Sequence, residues 1–438
     1  MCSGNAAVIS KVFVFICLLG MMQTSMAAQK GQSTVYKVTT ATELTDTLKR
    51  VEHGDTINLA SGIYRGNFLI NHSIYLTGEG AIIEANSQGN AISIYASNVH
   101  LSHLHLQNWG EDLYQHNAGV FIDKGQENIV IEHIVLSGDG FGIYAEEIEH
   151  ILIQHNQFIG NHQLAILDRG DGIHLKKSEN AQILNNQIIN VRDGVYLESG
   201  GHSVVNYNHF KGLQYAIHYM YTQGDMASQN IATQVLGGYA LMSANNIQLI
   251  DNQASHASEF GVLLNLTQDS LIKNNDVRHI HWKGGDPTDL FESGKGIFIY
   301  GSQGNILQSN LISACDIGVA MALGGELNRV FLNHFINNQT QVRYVGDIRV
   351  EWSENQQGNY WSDYQGWDIT GNGIGEQFHL PNDRLDKLFW LYPEAHFLME
   401  SPVVILLKWL DKLLIKSDYN GVIDSYPLVS SLDLSIKD

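Results

Sequence analysis

The chain has 438 residues and carries 25 Lys and Arg against 45 Asp and Glu, a formal net charge of -20. That excess of acid repels phosphate backbones and anionic headgroups, which excludes a nucleic-acid partner and argues against charge-driven adhesion to an anionic bilayer. Length alone does not divide the chain into domains, because repeat folds grow by stacking rather than by thickening one core.

Residues 1–27 read as an export signal. Lys11 gives a positive start, Val12 to Met22 an apolar stretch too short to span a bilayer, and Ser25-Met26-Ala27 a small-x-small cleavage site. The mature chain is expected to begin near Ala28. Cys2 and Cys17 leave with the signal, so Cys315 stands alone and no intrachain disulfide can form. A buried small hydrophobe in a strand is the expected role of that residue, rather than a nucleophile or metal ligand. Next, Thr40-Ala41-Thr42-Glu43 matches a capping box and opens a short amphipathic helix through Val51, where a stack of strands needs an N-terminal cap.

From there the chain repeats. A small residue opens successive apolar runs at Gly119, Gly142, Gly172, Gly194, Ala216, Ala240, Gly261, Gly296 and Gly318. An Asn follows the next run at Asn156, Asn186, Asn208, Asn230, Asn252, Asn275, Asn310 and Asn333. Both columns advance by about 22 residues, with two longer steps that mark loop insertions near 160–169 and 281–294. Within a coil apolar and polar residues alternate, as in Ile173 and Leu175 around His174, which is the period of a strand. Short strands joined by Gly and Asn turns predict an all-β fold: a single-stranded right-handed parallel β-helix over residues 28–345, cap included. None of the five Pro precedes residue 287, as continuous hydrogen-bonded strands require. Its Asn column is expected to form a hydrogen-bonded ladder along the axis. The register places Ile173, Val195 and Ile217 one above another inside.

Stacking turns columns of sequence into rows on the surface, with neighbours ~4.8 Å apart. One outward column reads His174, Tyr196, His218, Met242, and the position two further reads Lys176, Glu198, Met220, Ala244. His218, Met220 and Met242 therefore gather on one patch, with Met226 on the following turn. Imidazole and thioether together are the soft donor set that selects Cu(I) over hard cations. The same residues also suit a partly buried Met cluster. A second column holds His103, His133 and His155, with His105 two residues along; a His pair at that spacing can chelate a metal, and stacked polar rings are the alternative. His279 and His281 form a similar pair. A glycan-active enzyme is the rival reading, since long parallel β-helices offer a groove for polymers. His174, Tyr196 and Arg192 would then serve lyase or epimerase chemistry, or Asp168, Asp171 and Asp193 hydrolysis.

Residues 346–438 form a different tail, rich in Trp, Gly and Asp. Asp368, Thr370, Asn372 and Glu376, set among glycines, resemble an oxygen-donor loop for calcium, although a tight Gly-rich turn is the better expectation. Beyond Pro402 an apolar stripe (Val403, Leu406, Leu407, Leu410, Leu413, Leu414) predicts an amphipathic helix, either sealing the open end of the β-helix or docking on a membrane partner.

The strings AIHYMYT, GGYALM, KGIFIY, TQVRYVG with EWS, GNYWSDYQGWD and SPVVILLKW, with VIDSYPL near the end, resemble the NosD family of periplasmic copper-binding accessory proteins. The likeness spans nearly all of the mature chain. It implies a periplasmic protein that is not itself an enzyme. Such a protein associates with the membrane through the subunits of a copper-handling ABC transporter. It passes copper toward the copper-sulfur centre of nitrous oxide reductase in denitrifying bacteria, with a periplasmic copper chaperone as a further partner. The string GVAMALGGE departs from the family's usual GIHFTAG-like stretch, replacing a His near residue 320 with Met321.

Overall fold

The computed structural model describes residues 33–284, 294–382, 401–406 and 420–430. The export signal lies outside the described residues, as do residues 407–414 of the apolar tail stripe.

Each coil supplies one strand to a 12-stranded sheet and two short strands to a 24-stranded one, and successive coils pair in parallel. In one coil these strands are Val195–Glu198, Val204–Asn206 and His209–Lys211. The next coil repeats them 22 residues on, pairing Val195 with Ile217, Val204 with Met226 and His209 with Ile231. Between strands the chain bends at single residues of positive φ, here Ser199 (58°), His202 (55°), Tyr207 (60°) and Gly212 (71°). Asn, Gly and His recur at such corners because a short polar side chain or none is tolerated in the left-handed region.

Ile173, Val195 and Ile217 are fully buried and stacked in register, as the spacing requires. They belong to one apolar core running from Val38 to Val422. Coils approach closely at the small-residue column: a Cβ on Gly194 would lie 2.5 Å from the carbonyl oxygen of Ala216.

The Asn ladder is continuous from Asn156 to Asn359. Each backbone N–H donates to the Oδ1 of the next Asn at 2.9–3.0 Å. Each side-chain amide donates to the same oxygen at 2.8–3.1 Å. These groups are buried, so the ladder satisfies donors that would otherwise each cost about 1–3 kcal/mol. It ends in the tail, where Asp424 accepts from the Asn359 N–H at 2.7 Å and from Trp361 Nε1 at 2.8 Å. Phe335, Trp361 and Trp352 stack behind it, with ring centroids 4.3 Å and 6.2 Å apart. Tyr360–Trp361 pairs with His334–Phe335, and Gly421–Ile423 pairs with Arg349–Glu351. Residues 349–361 and 421–428 thus pack on the last coils.

At the other end, a helix spans Ala41–Arg50, with Thr40 Oγ1 accepting from the Glu43 N–H at 3.2 Å. Glu43 in return accepts from the Thr39 N–H, one residue before the position a capping box uses. Leu44 and Leu48 of this helix join the core.

Candidate metal site

Alternation along Tyr215–Met220 sends Ile217 and Tyr219 into the core and leaves His218 and Met220 on the outer face of the 12-stranded sheet. Across that face the register reads Tyr144, His174, Tyr196, His218, Ala240, Leu263, Phe298. The neighbouring column reads Glu146, Lys176, Glu198, Met220, Met242, Asn265, Tyr300. Met242 therefore stands beside Met220, two residues from the place beside His218 that the small-residue spacing implies. The close-approach position of this coil is Gly238, whose Cβ would meet the backbone of Gly261, and not Ala240. This register brings the two thioether residues side by side, each partly buried.

His218 is 8% exposed. Its Nδ1 lies 2.9 Å from Asp193 Oδ2, so an Nδ1–H donates to the carboxylate. Nε2 is buried and has no hydrogen-bond partner. The ring stacks on Tyr196 at 4.5 Å and meets the edge of Tyr215 at 5.4 Å. A histidine held through one nitrogen by a carboxylate, with the other free, is the usual posture of a metal ligand. Burial pushes the Asp193 carboxyl above the usual range, and the charge of Asp171 adds to the effect against the His218 hydrogen bond.

One coil earlier the pattern recurs with a different balance. Asp171, fully buried, binds His174 Nδ1 at 2.8 Å and takes both Nε and Nη2 of Arg192, at 2.9 and 2.8 Å. Burial alone would raise its carboxyl, but the His174 hydrogen bond and the Arg192 charge together hold it below the usual range. These contacts bear on the glycan reading. Arg192 already has its carboxylate, so it is not available to neutralise a uronate. Burial and then Glu198 push the Tyr196 phenol up to about 12, the wrong direction for a base. Asp168 lies exposed in a short 3-10 turn, whereas Asp171 and Asp193 are buried, so the three carboxylates share no cleft.

The other candidate ligands are dispersed. Met226 sits in the 24-stranded sheet, and Met321 points into the core. His103, His133 and His155 occupy positive-φ corners, their rings stacked at 4.9 and 5.1 Å. Parallel rings direct their nitrogens side by side rather than toward one point. His105 shares a shallow groove of about 350 Å³ with His103 and His133, and burial lowers its pKa. His281 Nδ1 is held by Asp316 at 2.8 Å, while His279 stacks on His256 at 5.2 Å. Asp368 accepts from the N–H groups of Gly371, Asn372 and Gly373, a tight turn that spends the carboxylate a calcium ion would need. Cys315 is buried and its thiol is pushed up to about 12 by burial, which keeps it inert. Among the described residues no group of three or more His, Cys, Asp and Glu is disposed to hold a metal. A metal at His218 would thus rely on thioether donors.

Sequence reasoning did not single out Asp193 as the partner of His218. The signal was the Asp-Gly dipeptide repeated at Asp171-Gly172 and Asp193-Gly194, which sets a carboxylate at the start of each outward row.

Residues 162–366 match the family model described as periplasmic copper-binding protein (NosD), and residues 63–234 match that of a right-handed beta helix region. A probable ABC transporter binding protein NosD of Stutzerimonas stutzeri is 34% identical over 374 residues, covering 85% of this chain and 86% of the relative. The chain belongs to the NosD family. A NosD of Pseudomonas aeruginosa is 33% identical over 85% of the chain and 87% of the relative. This is a periplasmic, copper-binding family. The fold, a right-handed solenoid, is shared with glycan enzymes. The A-module of a mannuronan C-5 epimerase from Azotobacter vinelandii has a TM-score of 0.55 at 14% identity, over 73% of this chain and 94% of that one. A family 28 exopolygalacturonase of Yersinia enterocolitica has a TM-score of 0.55 at 11% identity, over 75% and 78%. At such identities the likeness concerns fold alone.

Proposed function

We propose that this NosD-family protein handles copper in the periplasm for assembly of the copper-sulfur centre of nitrous oxide reductase, working beside an ABC transporter. His218, Met220 and Met242 would hold Cu(I) in passing. The observation that carries the reading is the free, buried Nε2 of His218 on the same outer face as two adjacent thioethers, with Asp193 fixing the ring from behind. Three mixed donors are soft enough to select Cu(I) and few enough to release it. The transporter association rests on the two relatives, each named a probable ABC transporter binding protein, and on an exposed apolar start to the tail helix. Val403, Ile405 and Leu406 are all more than half exposed, and no helix among the described residues is long and apolar enough to cross a membrane.

A Cu(I) titration of the mature chain under competition with bicinchoninate tests this, run beside a polysaccharide cleavage screen. The expected result is one Cu(I) bound, lost when His218, Met220 and Met242 are all replaced by Ala, with the fold retained and the reductase left short of copper. Wild-type affinity in that variant, or cleavage of a glycan by the wild type, would overturn the reading.

A further inference from the structure

Beside the two Asp–His pairs on the outer face, one same-coil and one cross-coil, stands a position that the backbone register makes equivalent and the sequence does not. Arg192 donates with two nitrogens to Asp171. Twenty-two residues on, the corresponding position is Gln214, whose N–H donates to the Arg192 carbonyl at 2.7 Å. Asp193 in turn occupies the position of Asp171, its N–H donating to Asp171 Oδ1 at 3.1 Å, and Tyr215 follows in that column. Asp193 is 4% exposed, and among the described residues no guanidinium is hydrogen bonded to it. Nearby Glu198 is answered by Lys176 at 3.6 Å. Asp171, Asp193 and Arg192 together set two carboxyl groups against one guanidinium, and that guanidinium is bonded to Asp171. A buried charge without a counter-charge is costly, and its pairing with a cation is correspondingly favoured.

We propose that Asp193 is a positioning residue for a soft monovalent cation at His218, and that Gln214, standing where the preceding coil has Arg192, reserves the charge of Asp193 for that cation. This rests on the copper-handling reading above. Asp193 does two things here. It fixes the imidazole through Nδ1 and leaves Nε2 without a partner, and it supplies the negative charge that a single positive charge balances. Arg192 performs that balance permanently for Asp171, whose histidine lies in its own coil with Nε2 3.9 Å from Glu198, so the His174 pair is closed to a metal. The sequence change from Arg to Gln between adjacent coils thus separates a structural pair from a binding pair.

The full mature chain would be titrated with Cu(I) under bicinchoninate competition and with Ag(I) nitrate as an air-stable probe of the same site. Asp193→Asn should weaken both metals 10–100-fold, the range typical when a carboxylate behind a ligating histidine is removed. Gln214→Arg should abolish binding, whereas Gln214→Leu, which adds no charge, should leave it at the wild-type level. All three are compared by metal-free melting temperature: Gln214→Leu should match the wild type, and Gln214→Arg should melt no lower, since it supplies the counter-charge. A merely structural role for position 214 would treat Arg and Leu alike. Wild-type affinity in both Asp193→Asn and Gln214→Arg overturns the inference while leaving copper handling by His218, Met220 and Met242 in place. A wild-type chain that binds neither metal overturns both.

Discussion

The outer face of the 12-stranded sheet changes character halfway along the solenoid. Toward the N-terminus it carries a stack of rings, His116 on Tyr144 at 4.1 Å, then His174, Tyr196 and His218, flanked by Glu146, Lys176 and Glu198. Toward the C-terminus the same two columns become Ala240, Leu263, Phe298 and Ala320 beside Met242, Asn265, Tyr300 and Ala322, and all of these but Asn265 belong to a separate apolar cluster. The inner face shows no such change, since apolar side chains, mostly Ile, Val and Leu with Tyr219, Tyr239 and Met321 among them, line it throughout. One backbone repeat thus separates two tasks. Inward residues are fixed by packing, and outward residues are free to diverge. His218, Met220 and Met242 lie where the polar half gives way to the apolar half. A soft cation with one imidazole and two thioethers suits that border, because its ligands come from both sides.

If the inner face is the invariant half, its disruption should have the largest effect. Ile217→Asp puts a carboxyl in a fully buried position between Val195 and Tyr239. The cost should be on the order of 5 kcal/mol or more, a large share of a typical folding free energy. Loss of the cooperative melting transition by circular dichroism is the expected outcome. An unchanged melting temperature would contradict the register. Asn230→Leu comes next. Its side chain accepts from the backbone and side chain of Asn208 and donates to Val205 and Asn252, so Leu leaves several buried groups unpaired. A loss of about 3–4 kcal/mol is expected from denaturant unfolding, with metal affinity unchanged in the folded fraction.

A third test concerns a single ladder position where chemistry departs from its column. Asp225 stands in line with Ser203, Ser270, Asn305 and Asn328. It is fully buried, and Oδ2 has no partner, where the Asn residues of the column have a donor. Burial pushes its carboxyl up to about 6, with Thr222 and the Ser203 N–H lowering it and Glu179 raising it. A raised carboxyl favours the protonated native state, so stability falls as pH rises from about 4, where the unfolded chain ionises, to about 6, and is level above that. Over that window the loss amounts to at most about 3 kcal/mol. Asp225→Asn should therefore leave the melting temperature unchanged at pH 4 and raise it at pH 7.5. A pH-independent gain would mean that the benefit is a hydrogen bond and not the charge.

Much of this comparison is legible in the sequence, and the reason is periodicity. A 22-residue step in two columns fixes coil length, inner face and ladder at once, since one register error would turn every side chain around. What escapes is set by contacts between columns. The pairing of Met220 with Met242 depends on which small residue, Gly238 or Ala240, marks the close approach, and both fit the string GGYALM. The Asp193–His218 bond joins residues 25 apart on neighbouring coils, while Asp171 reaches His174 three residues on within its own. Spacing alone does not distinguish these two geometries. The tail hides its link for a different reason: Asp424 completes the Asn359 end of the ladder from 65 residues away, with no repeat to announce it.

The smallest expected effect on the fold is also the sharpest test of the border itself. Met220→Leu with Met242→Leu keeps volume and apolar character, and such swaps cost less than about 1.5 kcal/mol even in tight cores. Both residues are only partly buried, so the melting temperature should move by no more than a few degrees. Ligation should respond quite differently. Without thioethers, His218 offers a single imidazole, which suits Zn(II) or Cu(II) no worse than before but gives Cu(I) no soft partner. Cu(I) affinity is expected to fall at least tenfold in the double variant while any Zn(II) binding stays where it was. Equal losses for both metals would show that the two Met residues act by packing around His218. No loss for either would move the soft site away from the border between the two halves.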